Sequence, residues 1–424
     1  MGTRDLDPNH GAKLTSTITS AKRQAWGLSK RRRASSLASA LFRRRTWLIP
    51  LATNLAFLLV YAANPSESNP AHPFIFLSYK LGDDATDNDS SSLPPQYGKG
   101  LRDIAYVCFY TVFLTFTREA CMREILSPLA RRRGIQSRAK RARFAENTYT
   151  ALYITVIAPW GMYLMHRTPV WYFNTRGMYE GYPHHAHEAG FKSYYLLQAA
   201  FWMQQVVVMV LGLEARRKDF NQLIAHHVVT VALVALSYRF HFAYMGIAVY
   251  ITHDVSDFFL SVSKSLNYFD SPAQGWSFAL CIAMWIYLRH YINLRILYSA
   301  LPGGEFSTVG PYVLDWAAEQ YKGPLANVIT FSLLAALQAL NIFWLYCLLR
   351  CACKFVFLGV AQDDRSEIED EGQEAENSSA GYVEKEVHDG SFATVVGGAD
   401  TNVPDAAAGN GLAYGLVQRR GGQS

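Results

Sequence analysis

Apolar runs long enough to cross a bilayer recur from Trp47 to Tyr346, and both ends of the chain are polar. A spanning segment must satisfy its own backbone hydrogen bonds, so each run reads as a helix. The expected spans are 47–63, 104–121, 148–165, 194–213, 222–240, 242–263, 276–299 and 327–349. That makes an all-α polytopic membrane protein with about eight transmembrane helices. The implied organisation has four parts. Residues 1–46 form a basic tail without apolar periodicity, expected to be disordered, and 47–137 hold two helices with a loop at 64–100 and a basic loop after them. Residues 138–358 hold six further helices, and 359–424 form an acidic, Gly- and Ala-rich tail, also expected to be disordered.

The fifth and sixth spans carry ionisable residues where lipid disfavours them. His226 and His227 lie among Leu, Ile, Ala and Val, and His253, Asp254 and Asp257 lie among aliphatic and aromatic residues. An Asp near the centre of a membrane helix costs about 2.5–3.5 kcal/mol on an insertion scale, which makes such residues functional candidates. At helical spacing Tyr250, Asp254, Asp257, Ser261 and Lys264 share one polar stripe, and His253 sits one turn before Asp257. Adjacent histidines point about 100° apart, so one of His226 and His227 can aim at a reacting atom while the other supports it. Polarity also marks the fourth and seventh spans, through Gln198, Gln204 and Gln205 and through Arg289, His290, Asn293 and Arg295. The glutamines suit interhelical hydrogen bonding equally well.

Charge fixes the expected orientation. The first 46 residues hold eleven Lys or Arg against two acids, and Arg131 to Arg143 are strongly basic, so both segments are expected in the cytosol. Arginines abutting a hydrophobic span determine topology more simply than they bind nucleic acid, so no nucleic-acid partner is expected. An even number of spans returns the carboxyl terminus to the cytosol, with Arg216, Arg217 and Lys218 on the same side. The loop 64–100 is then lumenal, and its sequon at Asn88 is expected to be glycosylated. Nothing near Met1 has the apolar core of a signal peptide.

The six cysteines lie in or beside apolar runs and form no disulfide or zinc framework. His184, His185 and His187 form a lumenal cluster that could bind a metal, but such clusters are more often solvated loop, and no metal is expected. A di-iron hydroxylase or desaturase would need about eight histidines in HxxxH and HxxHH sets, which this chain lacks.

The central stretch resembles the TLC-domain membrane proteins, and specifically the fungal ceramide synthases of the longevity-assurance group. The match runs through HHxxT at His226, His227 and Thr230, HDxxD at His253, Asp254 and Asp257, and SKSLNY at 263–268. It continues through WIYLRHYINLRIL at 285–297, LQALNIFWLY at 337–346 and DDRSE at 363–367. Animal members usually have Asn and Arg where this chain has His241 and Tyr244, so no role is carried over to those two. The resemblance implies that spans three to eight form a six-helix TLC bundle around a lipid-holding cavity, in the endoplasmic reticulum membrane with both termini cytosolic. It implies N-acylation of a sphingoid base, sphinganine or phytosphingosine, by fatty acyl-CoA, with no cofactor. It also implies a small single-span accessory subunit or a homo- or hetero-dimer.

Histidine chemistry agrees with that implication. An imidazole can take the acyl group from a thioester and pass it to an amine, or it can act only as general base in a direct transfer. The expected catalytic set is His226, His227, Asp254 and Asp257, with the carboxylates orienting the imidazoles. Either histidine can be the carrier. Supporting candidates are His253, Lys264, Arg289 and His290. The alternative from another class is a non-enzymatic TLC-type lipid carrier or sensor, which the fold alone would serve.

Overall fold

The structure is a computed structural model that describes residues 45–81, 94–214, 218–269 and 271–358. Asn88, Arg216, Arg217 and both terminal tails lie outside the described residues. All described residues belong to one unit, Met1–Glu371.

Each apolar run is helical. The helices are α1 (Leu48–Ala63), the short α2 (His72–Ile75), α3 (Arg102–Ala120), α4 (Ser127–Arg132), α5 (Arg138–His166), α6 (Ala189–Val210), α7 (Phe220–Arg239) and α8 (Ala243–Asn267). They continue with α9 (Gln274–Trp285), α10 (Asn293–Ser299), the short α11 (Glu305–Thr308) and α12 (Pro324–Leu358). Two wide π-helical turns, Cys121–Leu126 and Ile286–Ile292, join α3 to α4 and α9 to α10 into longer rods. Among the described residues only α7 and Pro324–Phe357 are both long and apolar enough to cross a membrane by hydropathy alone. α1 has no charged residue but is only 16 residues long, and the other rods carry charge inward or at one end. Residues 138–146 of α5 are basic, and α8 holds His253, Asp254, Asp257 and Lys264.

Packing closes a ring. α5 lies along α8, α8 against α9, the α9–α10 rod against α12, α12 against α7, α7 against α6, and α6 against α5. α8 also touches α6 and α7, so its polar stripe faces the interior rather than lipid. α1, α2 and α3 stand outside this ring, with α3 against α6. A buried ion pair fastens them: Lys192 Nζ on α6 is 2.7 Å from Asp103 Oδ1 on α3. Asp103 Oδ2 accepts from the Tyr238 hydroxyl of α7 at 2.8 Å. Lys192 also donates to the carbonyls of Ser78 and Gly98 at 2.9 and 2.7 Å. A two-stranded antiparallel ladder, β1 (Gln96–Tyr97) with β2 (His187–Glu188), ties the segment before α3 to the start of α6.

α7 turns directly into α8. Phe240 N donates to Leu236 O and Phe242 N to Ser237 O, both at 2.8 Å, and His241 takes the left-handed conformation between them with φ of 64°. Glycine usually fills that position, because a side chain there costs about 1–2 kcal/mol.

Candidate active site

A narrow cavity opens between α6, α7, α8 and α12. Its wall is mainly apolar, with Trp202, Val234, Val249, Leu334 and Leu337, and its polar points are few. His226 and His253 are two of them. The cavity runs from these histidines along α7 to Ser237 and along α8 back to Met245, so one end is polar and the rest is a greasy slot.

His226 lies in the second turn of α7, wedged nearly edge-on between Trp202 and Trp344, with ring centroids at 5.4 and 5.2 Å. Its Nδ1 is buried and has no hydrogen-bond partner among the described residues. Hydrogen bonds assign the other two rings differently. His227 Nδ1 donates to Leu223 O at 2.8 Å, and this ring does not line the cavity. His253 Nδ1 donates to Val249 O at 2.8 Å, which leaves Nε2 to accept from Asn341 Nδ2 at 3.3 Å. Of the three imidazoles, the one with an uncommitted nitrogen and a face on the cavity is His226.

The two carboxylates expected to orient the histidines have other partners. Asp254 accepts from the Gln198 amide, and Gln198 in turn accepts from the Tyr153 hydroxyl at 3.1 Å. Asp257 Oδ1 pairs with Arg289 Nη2 at 2.6 Å. Arg289 also donates to Ser256 Oγ at 2.6 Å, to His253 O at 3.2 Å and to Asn341 Oδ1 at 3.3 Å. Its guanidinium carbon stands 4.0 Å from the centre of the Trp285 ring. A carboxylate, an arginine, an asparagine and His253 thus form one continuous network behind the cavity wall. Arg289 reaches it from the π turn of the α9–α10 rod, the kind of irregularity that often marks a functional site.

The remaining candidates disperse. His290 Nδ1 meets Gln338 Nε2 at 2.8 Å, against α12. Lys264 lines a second cavity of about 560 Å³ with Gln274, Cys351 and Phe355, near the other end of the bundle. Asn341, Gln338 and Ser256 were not singled out as candidates from the sequence. The signal for the first two was their polarity inside the otherwise apolar α12.

The histidine cluster before α6 is not solvated loop throughout. His187 is buried, its ring stacked 4.5 Å from Phe191, and His184 Nε2 donates to Glu180 O at 2.8 Å. His185 alone of the three has an exposed side chain. The loop folds back over the start of α6 because Phe191 and Tyr244 offer it an aromatic surface. Lys99 reaches the same place, donating to His184 O at 2.9 Å with its Nζ 3.2 Å from His241 Nδ1. Burial, and then the neighbouring Lys192, pushes the Lys99 ammonium down to about 7. Burial, with Lys99 and His185 adding to it, pushes His241 down to about 4.

A ring of helices thus encloses an apolar slot with a histidine at its polar end. Residues 143–350 match the TLC domain family. The chain is 49% identical over 344 residues to the sphingosine N-acyltransferase-like protein FUM17 of Gibberella moniliformis, covering 81% of this chain and 87% of that one. It is 42% identical to the sphingosine N-acyltransferase lac1 of Schizosaccharomyces pombe, over 82% of this chain and 88% of that protein. It is also 42% identical to the ceramide synthase LAG1 of Saccharomyces cerevisiae, over 80% and 79% respectively. The chain belongs to the sphingosine N-acyltransferase, or ceramide synthase, family of TLC-domain proteins.

Proposed function

We propose that this protein makes ceramide by transferring a fatty acyl group from acyl-CoA to the amine of a sphingoid base, with His226 as the acyl carrier. The observation that carries the assignment of the histidine is its position: a buried imidazole whose Nδ1 has no partner among the described residues, on the wall of a slot lined by apolar side chains. The unprotonated ring nitrogen attacks the thioester carbonyl, the C–S bond breaks, and CoA leaves as thiolate and takes the ring proton. The amine of the sphingoid base then attacks the acyl carbon. The carbon–imidazole bond breaks, the amide forms, and the amine's proton passes to the ring. The apolar wall keeps water from the acyl-imidazole.

Arg289, Asp257 and Asn341 position His253, and through it the polar end of the slot. Asp254 and Gln198 hold α6 against α8 beside Tyr250, whose hydroxyl is buried without a partner among the described residues. Acyl-CoA enters from the cytosolic end, where the basic segment Arg131–Arg143 meets its phosphates, and the sphingoid base arrives from the bilayer.

The eight long rods are the spans of an endoplasmic reticulum protein, with six of them, in 138–358, forming the TLC domain. Both termini are cytosolic, Asn88 is lumenal and glycosylated, and the tail beyond 359 regulates or engages an accessory subunit or a second synthase chain. Protease digestion of sealed microsomes tests this topology, and protection of the carboxyl tail overturns it. Activity is tested by giving the purified protein mixed acyl-CoAs with sphinganine or phytosphingosine and reading the products by mass spectrometry. Release of CoA together with ceramide is the expected result. Lipid binding without turnover would instead make the protein a carrier.

A further inference from the structure

Outside the acyltransfer site, a cluster of metal-ligating side chains among the described residues lies where three connections meet at one end of the bundle. His185 comes from the α5–α6 connection, His241 from the α7–α8 turn and Glu319 from the segment between α11 and α12. One donor atom from each lies within 4.8 Å of the other two. His185 Nδ1 is 3.3 Å and His241 Nε2 3.5 Å from Glu319 Oε2. Donors held about 2.1 Å from a tetrahedral zinc ion stand about 3.4 Å apart, so two of the three separations already suit such an ion.

Two further features point the same way. His241 is 3% exposed, and its Nε2 is buried with no hydrogen-bond partner among the described residues while lying 3.5 Å from Glu319 Oε2. Its other nitrogen is occupied, since Nδ1 lies 3.2 Å from both the His184 carbonyl and Lys99 Nζ. A ring fixed through one nitrogen by a backbone carbonyl, with the other nitrogen left open, is the usual arrangement of a metal-bound histidine. The residue also occupies a left-handed position where glycine would be easier, and so does Glu319, with φ of 49°. Strain of that kind persists where a ligand clamp uses it.

We propose that His185, His241 and Glu319 bind a divalent transition metal ion, zinc by its preference for two imidazoles and a carboxylate, with the fourth position open to water. The ion fastens the three connections over the end of the bundle toward which the cavity runs from His226. Its role is structural, because it stands beyond Ser237, at the far end of the cavity from His226.

The test uses the full-length protein purified in detergent, stripped with a chelator and then given zinc or cobalt alone. Wild type should retain about one zinc per chain by elemental analysis and show the visible bands of tetrahedral cobalt. It should also lose thermal stability on chelation. His185→Ala and Glu319→Gln alter exposed side chains and leave the fold intact, yet each should weaken zinc binding by tenfold or more and abolish the effect of chelator on melting. His72→Ala, on α2, should change none of these. Wild-type protein that takes up no zinc overturns the proposal, as does equal binding by the His185 and Glu319 variants.

Discussion

Arg289 Nη2 and Asp257 Oδ1 are 2.6 Å apart, and the same guanidinium reaches the backbone of His253 one turn earlier on α8. The arginine is buried while the carboxylate side chain is 31% exposed, so the pair is asymmetric. The charge that most needs its partner is the arginine. Asp257→Asn should leave the protein folded, cost about 1.5–3 kcal/mol of stability, and remove most of the activity. Arg289→Lys should lower turnover as strongly, because an ammonium cannot serve Ser256, His253, Asn341 and Asp257 at once. Thermal melting and turnover, measured together on both variants, check this. Full activity in Asp257→Asn would mean the network is structural only.

His226 and His227 are separable by experiment. Rapid quench of wild-type protein with acyl-CoA alone should add one acyl mass to the intact chain, and sphinganine should remove it as ceramide. His226→Ala should show no adduct. His227→Ala should still form it, more slowly, since this ring bonds Leu223 and does not line the cavity. Ceramide formation by wild type without any adduct would make His226 a general base.

Filling the slot should change which acyl chains are used. Val234 and Leu337 line it on opposing helices, so Val234→Phe should shift the product spectrum toward shorter chains. The readout is the ceramide profile from an equimolar acyl-CoA mixture. An unchanged profile at lower overall rate would place the chain elsewhere.

The Lys192–Asp103 pair should matter for stability rather than for chemistry. Removing one member of a buried pair leaves the other charge unsatisfied, at a cost of about 3–5 kcal/mol. Lys192→Ala should therefore lower the melting temperature and detach α3 from α6, opening the segment before α3 to proteolysis. An unchanged melting temperature with reduced turnover would reverse that assignment.

The helices were legible because lipid and core alike demand long apolar runs, and those runs stand out between polar loops. Less of the site could be read. Helical spacing correctly put Asp254 and Asp257 on the inward side of α8, but it cannot say which neighbour each inward direction meets. α8 touches α5, α6, α7 and the α9–α10 rod, so a rotation of 100° per residue distributes His253, Asp254 and Asp257 among different partners. His253 consequently shares the cavity with His226, while Asp254 faces Gln198 and Asp257 faces Arg289. The hydropathy of α8 is diluted by the residues that make the interior useful, and that of α3 and α5 by charged residues at their ends. Asn341 stood out little, as one of three amides, with Asn327 and Gln338, in a long apolar helix.

The wide turn at Ile286–Ile292 makes chain length itself a coordinate. Its hydrogen bonds span one residue more than those of an α-helix, so everything on either side is phased by that insertion. Arg289, over the Trp285 ring, pairs with Asp257 from one part of the rod, and Asn293 Oδ1 accepts from Thr252 at 3.1 Å from the next. Deleting a single residue there would alter no other side chain and could leave an unbroken α-helix. It would also turn one half of the rod by about 100° against the other, so that Arg289 and Asn293 could no longer both address α8. A related chain can therefore exchange many apolar residues in this segment freely, whereas the count of residues through the turn admits no such drift.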